Sequence, residues 1–258
     1  MRLARVAALC ALPLLAAACG ASHTAATATT AAGSTAHVPV SPAPTTVVAY
    51  FLKDGEVAPV RLHVPHTLAV ATAALTALFG GPPAGYDTAL PPTQGATVAI
   101  AGGVATAILP AAVHDPSRAA RAQLVFTLTR FPTVSSATLR LAGGTAVVTQ
   151  ATRADYEAET PTILVDSPLP DDDVQSPLRV SGTAVVFEAT VRIELVQGQA
   201  QLGATTATAS RGAPARGAFA ASLPFTASGP ATLKVYAPNN EGSGPPLHEV
   251  DVPVTLAP

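Results

Sequence analysis

The stretch LRVSGTAVVFEATVRIEL, residues 178–195, decides the fold of the second half of the chain. From Phe187 to Leu195 the odd positions are apolar, and the even positions are charged except for Thr190. Side chains alternate across a strand, so this period-two pattern predicts one buried face and one solvated face. Burying its large apolar side chains, at roughly 1.5–3 kcal/mol each, favours packing against a second sheet. Ser181-Gly182 predicts a bend or bulge just before it.

Further strand-like segments follow this stretch, separated by clusters of Gly, Pro or Asn. They are Ala200–Ala209, Gly217–Phe225, Ala231–Ala237 and Leu247–Leu256. Short strands at turn-bounded intervals are typical of a β-sandwich, and no Cys–Trp–Cys pattern is present. The sequence therefore predicts an all-β, immunoglobulin-like sandwich over residues 161–258, joined to the preceding part by a linker at 151–160.

Residues 46–150 show a mixed pattern in which the predicted order is strand, strand, helix, strand, strand, helix, strand. A Lys53-Asp54-Gly55-Glu56 turn joins the first two strands. Leu68, Ala71, Leu75, Leu78 and Phe79 recur at helical spacing. Asp115 and Pro116 fit the cap and first turn of a second helix. We expect an α+β domain with two helices packed on one face of its strands.

The chain begins with Arg2 and Arg5, an apolar run at 6–15, and three alanines before Cys19. This pattern predicts a signal peptide at residues 1–18, whose apolar run is too short to span a bilayer. Residues 19–45, rich in Ala, Thr and Pro, cannot bury enough apolar area to offset ordering, so they predict a tether.

The Ala-Ala-Ala-Cys sequence ending at Cys19 resembles the lipobox of bacterial lipoproteins, with Ala16 where Leu is more usual. The resemblance implies cleavage before Cys19, lipidation of that cysteine, and anchoring to the outer face of the cell membrane. Ordinary secretion with an incidental Cys19 is the alternative. The lipoprotein reading makes this an extracytoplasmic protein.

Charge and cysteine content exclude several classes of protein. Removing Arg2 and Arg5 with the signal leaves 12 basic residues of 14 against 16 acidic ones. A mildly acidic chain without a basic run is a poor candidate for binding nucleic acid. The only other cysteine, Cys10, lies in the signal, so the predicted mature chain has no disulfide, thiol nucleophile or sulfur metal site.

Three motifs within residues 46–150 occur in the order that a known domain family expects. They are Ala74–Pro83 (ALTALFGGPP), Gly85–Pro91 (GYDTALP) and Gln123–Pro132 (QLVFTLTRFP). This part of the chain resembles the GerMN domain, named for a spore germination protein. Gly143-Gly144 stands where that family commonly has an Asp-Gly turn, a departure that glycine accommodates.

The second half carries its own resemblance, most specifically in the SGTA-x-x-FE run at 181–188. With Asp166-Ser167-Pro168 and the VQSP sequence at 174–177, it is similar to the immunoglobulin-like domain that accompanies GerMN in bacterial proteins. The resemblance implies a role in sporulation or germination, and GerMN-type domains look like ring-building modules of envelope complexes.

The carboxylates and histidines that could carry catalysis or bind a metal are better explained by structural roles. Asp171-Asp172-Asp173 lacks the spaced ligands and glycine of a calcium loop, so a solvated turn is expected. Glu188 and Glu194 would lie about 20 Å apart on one strand, too far for paired glycosidase carboxylates. His63-x-x-His66 has no third ligand at suitable spacing. The sequence predicts no enzyme, no metal site and no cofactor.

The remaining candidates are charged side chains that could contact a protein partner. Arg211 and Arg216 in the loop 210–217 are donors for carboxylates, and Glu188 and Arg192 occupy the charged side of the 187–195 stretch. An ordinary hairpin loop with solvated arginines is the alternative.

The leading hypothesis is a lipid-anchored, non-enzymatic envelope protein that binds other envelope proteins as an accessory or scaffold, with a homo-oligomer among the options. A peptidoglycan-binding or wall-modifying factor and an accessory to a membrane sensor kinase are the alternatives.

Overall fold

The computed structural model describes residues 42–239 and 244–257. Residues 42–258 cluster as one compact unit. Two apolar cores lie within it, one built from residues 49–164 and the other from residues 163–256. Both cores therefore lie within residues 42–258. The predicted signal peptide 1–18, Cys19 and the tether up to residue 41 lie outside the described residues.

The first domain has the predicted α+β composition and, among the described residues, the two predicted α-helices. Over these residues it has six strands, one more than predicted. In chain order the elements are β1 (Thr45–Lys53), β2 (Glu56–Val64), α1 (Val70–Phe79), β3 (Thr97–Ala101), β4 (Val104–Ile108), α2 (Arg118–Leu128), β5 (Ser136–Arg140) and β6 (Ala146–Ala151). β1 and β2 form an antiparallel hairpin, and the other strands form a sheet of order β3-β4-β5-β6. Both helices pack against β1, while α1 also contacts β3 and α2 also contacts β5.

The hairpin turn has the expected form. Lys53 pairs with Glu56 across the turn, and Asp54 and Gly55 between them have φ angles of 55° and 87°. A two-residue turn with both residues in the left-handed region matches the twist of the flanking strands.

Both helices begin later than predicted. Leu68 was expected on the apolar face of α1, and this was wrong, because the helix starts at Val70 and Leu68 is 93% exposed. Asp115 was expected to cap α2, but the hydroxyl of Ser117 accepts the Ala120 N–H at 3.2 Å instead. The sequence offers two good capping residues, and only the second lies at the position that reaches the third helical amide.

The second domain is the predicted β-sandwich. Its strands are β7 (Ile163–Ser167), β8 (Asp172–Gln175), β9 (Leu178–Ala184), β10 (Thr190–Gln197), β11 (Ala200–Thr208), β12 (Gly217–Leu223), β13 (Gly229–Ala237) and β14 (Leu247–Ala257). They form one sheet of order β12-β9-β7 and another of order β11-β10-β13-β14-β8. The apolar side chains between the two sheets make the second core.

The stretch 178–195 divides between the two sheets. Val191, Ile193 and Leu195 of β10 are fully buried, as their alternation predicts. Phe187 was expected on the same buried face, and this was wrong, since it is 77% exposed. It lies in a 3-10 turn in which Glu188 has a φ of 54°, so the period-two pattern begins only after that turn. Glu188 therefore does not share a strand face with Glu194.

The bend or bulge expected at Ser181-Gly182 was wrong, because β9 pairs with β12 without a register shift there and the bulge lies on the neighbouring strand β7. Val165 pairs with Gly182 and Ser167 with Ser181, which leaves Asp166 as an extra residue of a bulge on β7. A Cβ atom at Gly182 would lie 2.2 Å from the Leu164 carbonyl oxygen and 2.8 Å from the Phe219 ring. This close approach explains the glycine.

The segment between the two domains is structured. Ala151 ends β6, and a 3-10 helix spans Arg153–Glu159. Tyr156 of this helix is buried in the first core. The residues expected to form a linker at 151–160 thus pack against the first domain.

Candidate functional site at the junction of the two domains

Strand β7 belongs to both domains. Ile163 and Val165 pack into the second core, whereas Leu164 packs into the first. Successive side chains of a strand point in opposite directions, so β7 lies between the two cores. We call the contacts around β7 the junction.

The junction is positioned by two buried polar side chains of α2, Gln123 and Thr127. The Tyr50 N–H donates to Thr127 Oγ1 at 2.9 Å, and Gln123 Nε2 donates to the Tyr50 carbonyl at 3.1 Å. Gln123 Oε1 also accepts the Ala89 N–H at 2.8 Å. These bonds satisfy the edge of β1 that faces away from β2, where unpaired backbone groups would be costly. They also connect two of the GerMN motifs to β1.

Tyr50, Arg153 and Asp166 form a hydrogen-bonded network that crosses the junction. The Tyr50 hydroxyl donates to Asp166 Oδ1 at 2.7 Å. Arg153 Nη2 donates to the same hydroxyl oxygen at 3.1 Å, and Arg153 Nη1 lies 3.3 Å from Asp166 Oδ1. Arg130 Nη2 donates to the Asp166 backbone carbonyl at 3.0 Å. The bulge residue of β7 is thereby held by three side chains of the first domain and its 3-10 helix.

Burial keeps the Tyr50 hydroxyl of this network protonated. Tyr50 is fully buried, and desolvation raises the pKa of its hydroxyl far above the usual value, opposed by Arg153 and reinforced by Asp166. The guanidinium carbon of Arg153 lies 5.1 Å from the Tyr50 ring centroid and 4.9 Å from that of Phe126. The hydroxyl thus remains a donor to Asp166, while the cation lies near both rings, whose centroids are 5.3 Å apart.

Two further ion pairs cross the junction. Arg61 of β2 binds Asp172 of β8 through two bonds, of 2.7 and 2.9 Å. Arg216, in the β11–β12 loop, binds Glu157 of the 3-10 helix, with a closest distance of 2.8 Å. Bidentate guanidinium–carboxylate pairs fix orientation as well as distance. The two domains are therefore held in one relative orientation.

A groove of about 540 Å³ lies between the domains. Its walls come from the tip of the β1–β2 hairpin, from β7 and from β14, and its polar lining includes Lys53, Asp54, Glu56, Tyr86, Glu249 and Asp251. Desolvation raises the pKa of Tyr86, and the nearby carboxylate of Asp171 adds to this shift. The groove is the concave surface that the junction creates.

The carboxylates on β14 share one cation. Lys234 of β13 donates to Glu249 and also to Asp251, the latter at 3.3 Å. The hydrogen bond that Lys234 donates to Glu249 is the largest cause of the raised pKa of Lys234. Carboxylates outnumber lysines in the groove lining, since Asp54, Glu56, Glu249 and Asp251 line it together with Lys53.

The structure does not gather the four charged residues predicted to contact a partner. Arg216 is engaged in the junction, and Arg192 lies on β10 with its Nε 3.3 Å from Glu194 Oε1. Glu188 and Arg211 are exposed. Their loops are adjacent, because the Ala213 N–H donates to the Val186 carbonyl at 2.9 Å.

The acidic run differs from the expected solvated turn at one position. The side chain of Asp172 is only 12% exposed; besides binding Arg61, it accepts the Leu169 N–H at 2.9 Å. His63 and His66 are exposed. Within residues 42–239 and 244–257, no three residues among His, Cys, Asp and Glu are grouped as metal ligands would be.

Sequence reasoning missed the residues of the junction network. Arg153 and Asp166 lie in the strings TRADY and TILVDSP, which are noticeable only through family resemblance. Tyr50 is one apolar-strand residue among several, and 116 residues separate it from Asp166. Local periodicity carries no information about a contact at that separation.

Two family models match the chain. Residues 48–147 match the family described as "Sporulation and spore germination". Residues 162–243 match the "Immunoglobulin-like domain of bacterial spore germination". The first and the second domain thus each match one of these families. The chain carries a GerMN-type domain followed by an immunoglobulin-like domain of the kind described for spore germination.

Two solved structures of GerMN domains are similar to this chain. The first GerMN domain of the sporulation protein GerM from Bacillus subtilis is 23% identical, with 43% of this chain and 99% of that chain covered and a TM-score of 0.34. The tandem GerMN domains of GerM are 19% identical over 83% of this chain and 61% of that chain, with a TM-score of 0.36.

The fibronectin(III)-like modules of CbhA from Clostridium thermocellum are 17% identical over 36% of this chain and 93% of that chain, with a TM-score of 0.24. No curated protein matches the sequence. Among the described helices, none has both the length and the apolar character needed to cross a membrane.

Proposed function

We propose that this is a lipid-anchored, non-enzymatic protein of the cell envelope whose two domains act as one rigid body in protein–protein interaction. The family matches support a role connected with sporulation or germination. The Ala-Ala-Ala-Cys sequence before residue 20 supports anchoring through lipid on Cys19.

The observation that carries the proposal is the junction. Three ion pairs, Arg153–Asp166, Arg61–Asp172 and Arg216–Glu157, join the domains, and β7 packs into both cores. Such a body loses little conformational freedom when it binds a partner, because its interdomain angle is already set. Its most deeply placed polar groups bond to one another, as a structural role requires.

Membrane anchoring is tested with the full chain in its native cell. Detergent phase partitioning should place the protein in the detergent phase, and Cys19→Ala should move it to the aqueous phase. Cys10→Ala, within the predicted signal, is the matched control, and this variant should partition into the detergent phase as the wild-type protein does. Equal partitioning of the wild-type and Cys19→Ala proteins would contradict lipid anchoring.

The interaction role is tested by in-cell photocrosslinking from the full chain, with the crosslinker at exposed positions in the groove (His248) and far from it (Ala99, Arg211). We expect discrete adducts with another envelope protein. If no position gives a protein adduct and the protein sediments with isolated sacculi, the peptidoglycan alternative replaces the proposal. Loss of a kinase-dependent phenotype on deletion, without adducts, would favour the sensor-accessory alternative.

A further inference from the structure

The edge of β14 is only half paired. β14 spans Leu247–Ala257 and pairs with β13 along most of its length. On its other side, β8 pairs only with Val254–Ala257. Within residues 42–239 and 244–257, no strand pairs with the backbone from His248 to Val252 on this side, and this edge forms one wall of the groove. His248, with a φ of 55°, lies where the register with β13 shifts.

The alternation of the strand identifies which groups face this free edge. The Asp171 N–H donates to the Pro253 carbonyl at 2.8 Å, so Pro253 points its carbonyl toward the β8 side. In an antiparallel strand the backbone groups alternate in direction with period two. The N–H and C=O of Asp251, two residues before Pro253, thus point into the groove. By the same alternation, the backbone groups of Glu249 point to that side as well.

The side chains beside this edge define the charge of an added strand. Glu249 and Asp251 lie on the exposed face of β14, and Val250 and Val252 point toward the second core. Residues of an added strand would lie directly beside them, since cross-strand neighbours are about 5 Å apart. Four carboxylates, of Asp54, Glu56, Glu249 and Asp251, line the groove, and Lys53 and Lys234 are the two lysines beside them. Basic side chains at the outward positions of an added strand would complement this excess of negative charge.

We propose that the groove binds an extended segment of a partner protein by strand addition to residues 248–252 of β14, and that this segment alternates Lys or Arg with small apolar residues. About five residues fit along the free edge. The basic residues pair with Glu249 and Asp251, while the apolar residues face the groove floor at Ile163 and Val250. This inference rests on the proposed function, because it names a surface through which the interaction is made.

The test uses residues 42–258 and capped synthetic peptides, with binding followed by isothermal titration and by the amide signals of residues 248–252 in NMR spectra. The probe is a seven-residue peptide of alternating Lys and Val. The controls are the same peptide with Glu for Lys, and the Lys peptide N-methylated on one edge, which keeps its charge but removes its donors. We expect the Lys peptide alone to bind and to shift the amide signals of β14.

Variants of the protein separate the charges from the strand edge. Glu249→Gln with Asp251→Asn should weaken binding of the Lys peptide about tenfold, because two cross-strand charge pairs are lost. Asp115→Asn, at a carboxylate whose side chain is 94% exposed and far along the chain, is the matched control and should leave affinity unchanged. Unchanged binding by the double variant, or equal binding of the N-methylated peptide, would overturn the proposal.

The outcome is distinguishable from failure of the proposed function. Protein adducts from Ala99 or Arg211, with no binding of the Lys peptide, would overturn strand addition while leaving the interaction role in place. A concentration-dependent dimer that buries residues 248–252 would also overturn it, because the occupant would then be a second copy of this chain.

Discussion

The hydroxyl of Tyr50, in the first strand, lies 2.7 Å from Oδ1 of Asp166, in the strand that opens the second domain. The bond crosses the junction, and Arg153 contacts both of its atoms. The extra residue of a β-bulge therefore reaches into the other domain, and the buried face of β1 receives it.

Tyr50→Phe removes this bond while keeping the aromatic ring. We expect a loss of about 1.5–3 kcal/mol in the free energy of unfolding, because a hydrogen bond to a carboxylate is lost in a buried site. Urea denaturation of residues 42–258 measures it. Tyr236→Phe, whose hydroxyl donates to Glu194 at 2.8 Å in a less buried place, should cost less. Equal costs would argue against the importance of the junction bond.

Arg153 and Asp166 should show strong coupling. Arg153→Met leaves Asp166 without its cation, and Asp166→Asn leaves Arg153 without its anion, so each single change should cost about 3 kcal/mol. The double variant should cost less than the sum of the two, since it removes both charges together. Additive costs in a denaturation cycle would show that the two groups do not interact.

Alkaline pH should weaken the fold through Tyr50. Its folded-state pKa lies above the unfolded value of about 10, so the folded state retains a proton that the unfolded state releases. Stability is then full below about pH 10 and falls as pH rises further, by up to ~1.4 kcal/mol per pH unit from this residue.

Tyr50→Phe should reduce that slope. The pKa values of Tyr86, Tyr156 and Tyr236 are also raised by burial, so part of the slope should remain. The chain has no tryptophan, which leaves tyrosinate absorbance a clean measure of titration. A native protein in which all tyrosines titrate near pH 10 would contradict the assignment.

Gly182→Ala should disturb the pairing of β7 with β9. The added Cβ would lie 2.2 Å from a backbone oxygen that cannot rotate away, and we expect a cost of about 2 kcal/mol or more. Gly143→Ala is the control, because a Cβ there meets no atom within 4 Å and the residue does not have a positive φ. Thermal unfolding of both variants measures the difference, and similar melting temperatures would contradict the tight approach.

Gln123 offers a test of the motif that identified the first domain. Gln123→Met keeps the volume but leaves the Tyr50 carbonyl and the Ala89 N–H without their partner. We expect a loss of about 2–4 kcal/mol, measured by urea denaturation. Gln197→Met, at an exposed amide that bonds two backbone carbonyls, is the control and should cost under about 1 kcal/mol.

Local patterns predicted the parts of the fold that depend on neighbouring residues. The alternation of Val191, Ile193 and Leu195 placed β10 against a core, and Lys53-Asp54-Gly55-Glu56 predicted its turn correctly. Phe187 fits the same alternation, but positive φ angles at the two following residues interrupt the strand. Periodicity counts residues and cannot detect such a break.

The groove and the junction could not be predicted, because their residues meet only after folding. Arg216 has the same sequence character as Arg211, yet only Arg216 finds a carboxylate across the junction. The acidic run at 171–173 reads as solvated, and the bidentate contact of Asp172 with Arg61 depends on how two domains are placed.

The side chains of β7 pack alternately into the two cores, and this affects any exchange of one domain for a domain of another protein. If the second domain were transferred from Ile163 onward, it would include Leu164, whose side chain packs into the first core. A new first domain would then need a cavity shaped for that leucine and a hydrogen-bond donor for the carboxylate of the bulged Asp166. Exchange of either domain alone would therefore leave Leu164 without its core and the Tyr50 hydroxyl without its acceptor.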